Sequence, residues 1–249
     1  MSEIDELSNE TSKPIASVVI PCYNEAENIP LLAQKVQDVF HTLPDWSYEC
    51  IFIDDYSTDD TQDILSTVQD ANPSLRSILF AKNMGQSAAL IAGMRSARGE
   101  YILTLDGDLQ NDPVDFPRIL ELLQSYDCVC GYRANRNDHL IRKISSKVAN
   151  FVRNLVLHDG IRDSGCGSKG FRKKCIPYIV PFNGVHRFLA VFIRHAGFSI
   201  VECPVAHHPR IHGQSKYGVG NRLWRGLYDL IGVAWLRKRF VHPIVKGGE

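Results

Sequence analysis

Between residues 16 and 132, short apolar runs rich in β-formers alternate with stretches whose apolar residues recur at helical spacing. Strands are predicted at Ala16 to Pro21, Tyr48 to Asp54, Leu75 to Ala81, Glu100 to Leu105 and Asp127 to Gly131. Ile29, Leu32, Ala33, Val36, Val39 and Phe40 mark one intervening helix. Such alternation predicts an α/β fold with a mostly parallel sheet flanked by helices. Beyond residue 132 the pattern changes to a basic amphipathic stretch, Asn137 to Leu157, and a Gly-rich segment, DSGCGSKGFR. A helical patch near His186 to Ala196, a strand near Phe198 to Val205 and a C-terminal helix from about Val219 to Arg239 follow.

In open sheets of this kind ligands gather at the carboxyl ends of strands. The polar signatures fall there: PCYNE after the first strand, DDYSTDDT after the second and DGDLQ after the fourth. Charge sharpens the picture. Residues 1 to 130 carry 7 Lys+Arg against 22 Asp+Glu, net −15, and residues 131 to 249 carry 21 against 6, net +15. An acidic half suits a metal, and a basic half suits phosphates or an anionic surface. The basic residues are not interleaved with aromatics in a stripe, so no nucleic-acid partner is expected.

The seven cysteines are odd in number and form no C-x-x-C pair, which argues against a zinc site or a disulfide framework and points to a reducing cytosol. The acidic, polar start reads as a disordered tail, residues 1 to 15, rather than a signal peptide. The apolar run Leu230 to Leu236 is far short of the roughly 20 residues that cross a bilayer, so membrane contact is expected to be peripheral. Residues 16 to 240 are expected to form a single domain, with 133 to 240 completing 16 to 132.

Three constellations carry candidate chemistry. Asp106-Gly107-Asp108 ends a strand, where two carboxylates can hold a hard cation such as magnesium or manganese; the plainer reading is a solvated turn capping a helix from Pro113. Asp54 and Asp55 end another strand, where a carboxylate can take a base N–H or ribose hydroxyl; Ser57, Thr58 and Asp59 read equally as helix caps. Pro21, Tyr23, Asn24 and Glu25 form a loop whose ring can lie along a base, or an ordinary turn. His207, His208 and His212 are separated by Pro209 from any one helical face, with Gly213 following, which disfavours metal ligation.

Eight segments in order, VVIPCYNEAENI, IFIDDYSTDDT, NMGQSAAL, ILTLDGDLQNDP, GYR, RKISSKVAN, DSGCGSKGFR and HHPRIHGQSKYG, resemble family 2 glycosyltransferases related to dolichol-phosphate mannose synthase, over residues 16 to 235. Two positions depart from the pattern: Tyr56 stands where the family usually has Gly, and Gly107 where Ala is commoner.

The resemblance implies a glycosyltransferase A fold and inverting transfer of a sugar from GDP-mannose or a UDP-hexose to a polyprenyl phosphate at the cytoplasmic membrane face. It implies that Pro21, Tyr23, Glu25, Ile53 and Asp55 hold the nucleoside, and that Asp106, Gly107 and Asp108 meet the metal and diphosphate, with Gln110 a further ligand. Arg133 then lies beside the reacting phosphates and makes up the catalytic pair with Asp108. Arg142 and Ser146, with Arg133, receive the acceptor phosphate; Arg210 and Lys216 sit in a loop that closes on the donor diphosphate.

Asp163 orients the acceptor, acts as a base or shapes a turn. Arg237, Lys238 and Arg239, following Trp224, Tyr228 and Trp235, resemble an interfacial anchor or form an ordinary packed helix. Two alternatives stay open: a soluble transferase of the same fold acting on a saccharide or protein, and a non-catalytic nucleotide-binding protein.

Overall fold

The computed structural model describes residues 15–134, 150–209 and 219–239. Its first half builds β1 (Ala16–Cys22), α1 (Ile29–His41), β2 (Tyr48–Asp54), α2 (Thr61–Ala71), β3 (Leu75–Leu79), α3 (Gln86–Ser96), β4 (Tyr101–Thr104), α4 (Phe116–Leu123) and β5 (Cys128–Arg133). The second half adds helix α5 (150–157), β6 (Lys169–Arg172), α6 (Leu189–His195), β7 (Ile200–Val205) and α7 (Val219–Arg239). The predicted strands of the first half are present, each within one or two residues of expectation.

One seven-stranded sheet runs through both halves in the order β3-β2-β1-β4-β6-β5-β7. The pairs β1–β2, β2–β3, β1–β4 and β5–β7 are parallel, whereas β6 is antiparallel to both β4 and β5. The Gly-rich segment, to which the sequence assigned no element, ends in strand: Gly170-Phe171-Arg172 is wedged between two others.

Strand alternation sends Val18, Ile20, Phe52 and Leu103 to one face beneath α1 and α4, and Val19, Ile51, Ile53 and Ile102 to the other beneath α3 and α6. Each such side chain contributes roughly 1.5–3 kcal/mol by leaving water. Close packing of α3 depends on Gly93, where a Cβ would stand 2.4 Å from Val19 Cγ1 and 2.6 Å from Ile53 Cδ1.

Strand order reverses between β1 and β4: from β1 the chain moves out to β2 and β3, then returns to the other side of β1. That switch leaves a crevice at the carboxyl ends of these strands.

Candidate active site

Three non-glycine residues adopt a left-handed backbone at the crevice: Asn24 (φ 53) after β1, Tyr56 (φ 63) after β2 and Leu109 (φ 58) after β4. Such conformations cost about 1–3 kcal/mol each and persist where surrounding contacts enforce them. Tyr56 takes the left-handed conformation that a glycine would take most easily.

The first two loops are stitched together. The Asn24 backbone N–H donates to Ser57 Oγ at 2.8 Å, Thr58 N–H donates to Asn24 Oδ1 at 2.7 Å, and Glu25 N–H donates to Thr61 Oγ1 at 3.0 Å. Ser57 and Thr58 thus join loops rather than cap α2; Asp59 Oδ1, which accepts from Thr61 N–H at 3.1 Å, serves the helix start. Buried Asp54 accepts from Gln62 Nε2 at 2.7 Å and from the Ser57 hydroxyl. Buried Asp55 accepts from the backbone N–H groups of Met84 at 2.6 Å and Gly85 at 2.8 Å, pinning the turn that opens α3. Ile53 is fully buried between β1 and β3, its carbonyl accepting from the Cys22 thiol at 3.4 Å, while Tyr23 and Glu25 stay partly accessible. Pro21 is the penultimate residue of β1, paired with Ile53.

At the end of β4, Asp106 and Asp108 are half-buried on either side of buried Gly107. Gln86 Nε2 donates to Asp106 Oδ1 at 2.9 Å, so α3 fixes this carboxylate as well as the Asp55 turn. Burial, and then the charge of Asp108, push the Asp106 carboxyl up to about 6, against the pull of Lys169, Arg133 and Gln86. Asp108 Oδ1 accepts from Gln110 N–H at 3.2 Å. The helical turn at Pro113 is capped instead by Asp112, which accepts from Val114 N–H at 3.1 Å, leaving Asp106 and Asp108 outside that role.

Arg133, at the end of β5, is gripped by Asp163 in a two-pronged pair, Nε to Oδ2 at 2.7 Å and Nη2 to Oδ1 at 2.8 Å. Asp163 also accepts from the Arg133 backbone N–H at 3.3 Å, so it fixes both chain and side chain. The loop carrying Asp163 packs directly on the acidic site: at Gly167 a Cβ would stand 2.3 Å from Asp106 Oδ2.

Behind Asp106 lies a recess of about 30 Å³, bordered by Gln86, Thr104, Asp106, Gly167, Lys169 and His186. Sequence reasoning assigned no role to Gln86, Lys169 or His186. His186 is tied by Nδ1 to Ser87 Oγ at 2.8 Å, and Ser87 Oγ also accepts from Gly184 N–H at 2.9 Å.

The segment around His207 and His208 runs beside DGDLQ: His208 N–H donates to Gln110 O at 2.8 Å, Asn111 bridges His207, and His208 Nε2 lies 3.5 Å from Asp112. Arg142, Ser146, Arg210, His212 and Lys216 lie outside the described residues. So does the side chain of Trp224.

Helix α7 is packed through Leu230 and Val233 yet leaves Tyr228 81%, Ile231 63% and Trp235 62% exposed. Neighbouring α5, whose last carbonyl accepts from the Arg237 guanidinium, leaves Phe151 69% and Leu155 62% exposed. Among the described residues no helix is long and apolar enough to cross a membrane.

Known proteins place this geometry. The profile of Glycosyl transferase family 2 matches residues 17–178. A dodecaprenyl-phosphate galacturonate synthase of Rhizobium johnstonii is 36% identical over 233 residues, which is 91% of this chain and 68% of that protein. An undecaprenyl-phosphate 4-deoxy-4-formamido-L-arabinose transferase of Aeromonas hydrophila is 35% identical over 225 residues, 90% of this chain and 68% of its own length. Among solved structures, glucosyl-3-phosphoglycerate synthase from Mycobacterium tuberculosis with Mn2+ and UDP-glucose superposes with a TM-score of 0.63 at 19% identity, covering 92% of this chain and 80% of that one. Mannosyltransferase PcManGT from Pyrobaculum calidifontis, in complex with GDP-Man and Mn2+, gives 0.59 at 18%, covering 93% and 66%. These structures share the glycosyltransferase A fold with the seven-stranded sheet described above. With its profile match covering well over half the sequence and relatives above one-third identity, the chain belongs to glycosyl transferase family 2.

Proposed function

We propose that this glycosyltransferase moves a sugar from a nucleotide-sugar, GDP-mannose or a UDP-hexose, to a polyprenyl phosphate at the cytoplasmic membrane face, with inversion at the anomeric carbon. The observation that carries the reading is the convergence of Asp55, Asp106, Asp108 and the Arg133–Asp163 pair on one crevice. The polyprenyl-phosphate relatives supply the acceptor class.

Asp106 and Asp108 are two hard oxygen donors at a strand end. That set fits magnesium or manganese, which take one or two carboxylates and complete their shell with water and phosphate oxygens. Gln110 is the proposed further ligand. Bound there, the cation offsets the charge developing on the leaving diphosphate.

The chain's own groups do the rest. Pro21, Tyr23, Glu25 and Asp55 frame the nucleoside, with buried Ile53 packed behind them. Arg133, held rigid by Asp163, presents its guanidinium charge to the reacting phosphates, and a preset charge costs no reorganisation during the reaction. Arg210 and Lys216 close over the diphosphate. An oxygen of the acceptor phosphate, already anionic and gripped by Arg133, Arg142 and Ser146, attacks the anomeric carbon as the bond to the diphosphate oxygen breaks. No general base is required, and Asp163 is a positioning residue. The exposed apolar faces of α5 and α7, beside the basic end of α7, dock the enzyme on an anionic bilayer where this acceptor resides.

Incubating the protein with radiolabelled nucleotide-sugars, Mn2+ and membrane lipid extract tests the reading. Label is expected in the organic phase from one donor; label passing only to water-soluble saccharide or protein supports the soluble-transferase alternative instead.

A further inference from the structure

Lys169, the first residue of β6, is 5% exposed and borders the recess behind Asp106. Its ammonium donates to the Cys166 carbonyl and forms no ion pair with any described residue. An ammonium drawn out of water with a single carbonyl partner is unfavourable, since three N–H groups and a full charge require compensation. Asp106 is near enough for its charge to be felt, yet one of its oxygens already accepts from Gln86 and it forms no hydrogen bond with the ammonium.

The recess also has a definite size. About 30 Å³ holds one or two waters. That space suits an exocyclic group of about three heavy atoms. His186, held by Ser87, and Gln86 add polar groups to the lining of the recess.

We propose that this recess, through the buried Lys169 ammonium, receives the carboxylate of a hexuronic acid, so that the donor is a nucleotide-linked uronic sugar. This rests on the nucleotide-sugar reading above and replaces the neutral hexose named there with its C6 carboxylate counterpart: the diphosphate stays at the mouth with Asp106 and Asp108, and the exocyclic carbon of the sugar points inward.

Isothermal calorimetry in the presence of Mn2+ tests it with UDP, UDP-glucose, UDP-galactose, UDP-glucuronate and UDP-galacturonate, alongside GDP, GDP-mannose and GDP-mannuronate. Wild-type protein is expected to bind one uronate at least tenfold tighter than its neutral counterpart. Lys169→Met, close in shape and uncharged, is expected to erase that preference while leaving affinity for the free nucleoside diphosphate unchanged. Equal affinity of the wild type for neutral and uronic sugars overturns the proposal without any variant. So does a Lys169→Met protein that loses nucleoside diphosphate and nucleotide-sugar affinity in the same proportion, which assigns the lysine to the diphosphate or to folding. Failure of the wild type to bind every one of these nucleotides rejects the donor reading itself, and this inference with it.

Discussion

The carboxyl ends of β1, β2 and β4 and the α5–α7 surface treat their side chains in opposite ways. At the strand ends, charged and polar groups are drawn in and locked by partners about 30 residues away in sequence: Asn24 by the Ser57-Thr58 turn, Asp55 by the N–H groups before α3. At α5 and α7, Phe151, Leu155, Tyr228, Ile231 and Trp235 are left outside although apolar. Fixed polar groups gain strength when they need not reorganise around a developing charge. Apolar side chains left in water gain by meeting something apolar. One region holds charge still; the other leaves apolar side chains exposed, and it is this surface that the proposed docking covers.

The sharpest test of the rigid end is Asp108→Asn, which keeps the side chain's shape and removes its charge. Transfer is expected to fall at least 100-fold, on the scale of losing one preset electrostatic group, with the thermal midpoint nearly unmoved; wild-type turnover, or full activity in excess chelator, removes Asp108 from the site. Asp163→Asn comes next. It leaves the enclosed Arg133 without its anionic partner, so a loss of about 3 kcal/mol in stability is expected by chemical denaturation, together with a lower kcat at little-changed donor KM. A fall in donor affinity matching the fall in kcat makes the pair a nucleotide-binding element instead.

Arg142→Ala probes the acceptor side. An increase of about tenfold in acceptor KM is expected, the scale of one charge-assisted hydrogen bond, with donor affinity constant; equal loss of both moves Arg142 to the donor. On the exposed α5–α7 surface, the paired change Phe151→Ser and Trp235→Ser is expected to reduce flotation with anionic liposomes several-fold at low salt, and raised salt to release most of the wild-type protein. Equal flotation with neutral and anionic vesicles contradicts electrostatic docking. The smallest effect concerns Asp127, whose carboxyl, burial notwithstanding, is held down to about 2 by Lys174 and by Ser199 at the start of β7. A lowered folded pKa stabilises above the unfolded value near 4 and is lost as pH falls toward 2. Asp127→Ala is therefore expected to unfold slightly more easily at pH 6 and no more easily than wild type at pH 2.

The same contrast explains what was legible in the chain. Strands β1 to β5 and the span of α7 are readable because apolar periodicity records which side of an element is buried. Strand β6 escaped, since Lys-Gly-Phe-Arg has one large apolar residue and no alternation: Gly170 is there because a Cβ would stand 2.5 Å from Ile119 Cγ2 of α4, a packing fact invisible in local sequence. The acidic residues of the site were legible by motif. Their partners were not: Gln86 on Asp106 is fixed by tertiary placement, and the exposure of Phe151 and Leu155 depends on how α5 lies against the body. Lys169 was hidden for the same reason, sitting in a Gly-rich segment with no apolar periodicity.

Transfer to a defined acceptor tests the central claim most directly. With Mn2+ and the nucleotide-sugar that the lipid-extract screen selects, synthetic undecaprenyl phosphate, undecaprenol and soluble saccharides are offered in parallel, and the labelled product and its anomeric configuration are read by mass spectrometry and NMR. A glycosyl phosphate lipid of inverted configuration, formed from undecaprenyl phosphate alone and lost with Asp108→Asn, is the expected result. A labelled saccharide with undecaprenyl phosphate left unmodified, or a lipid product that retains the donor's configuration, contradicts it.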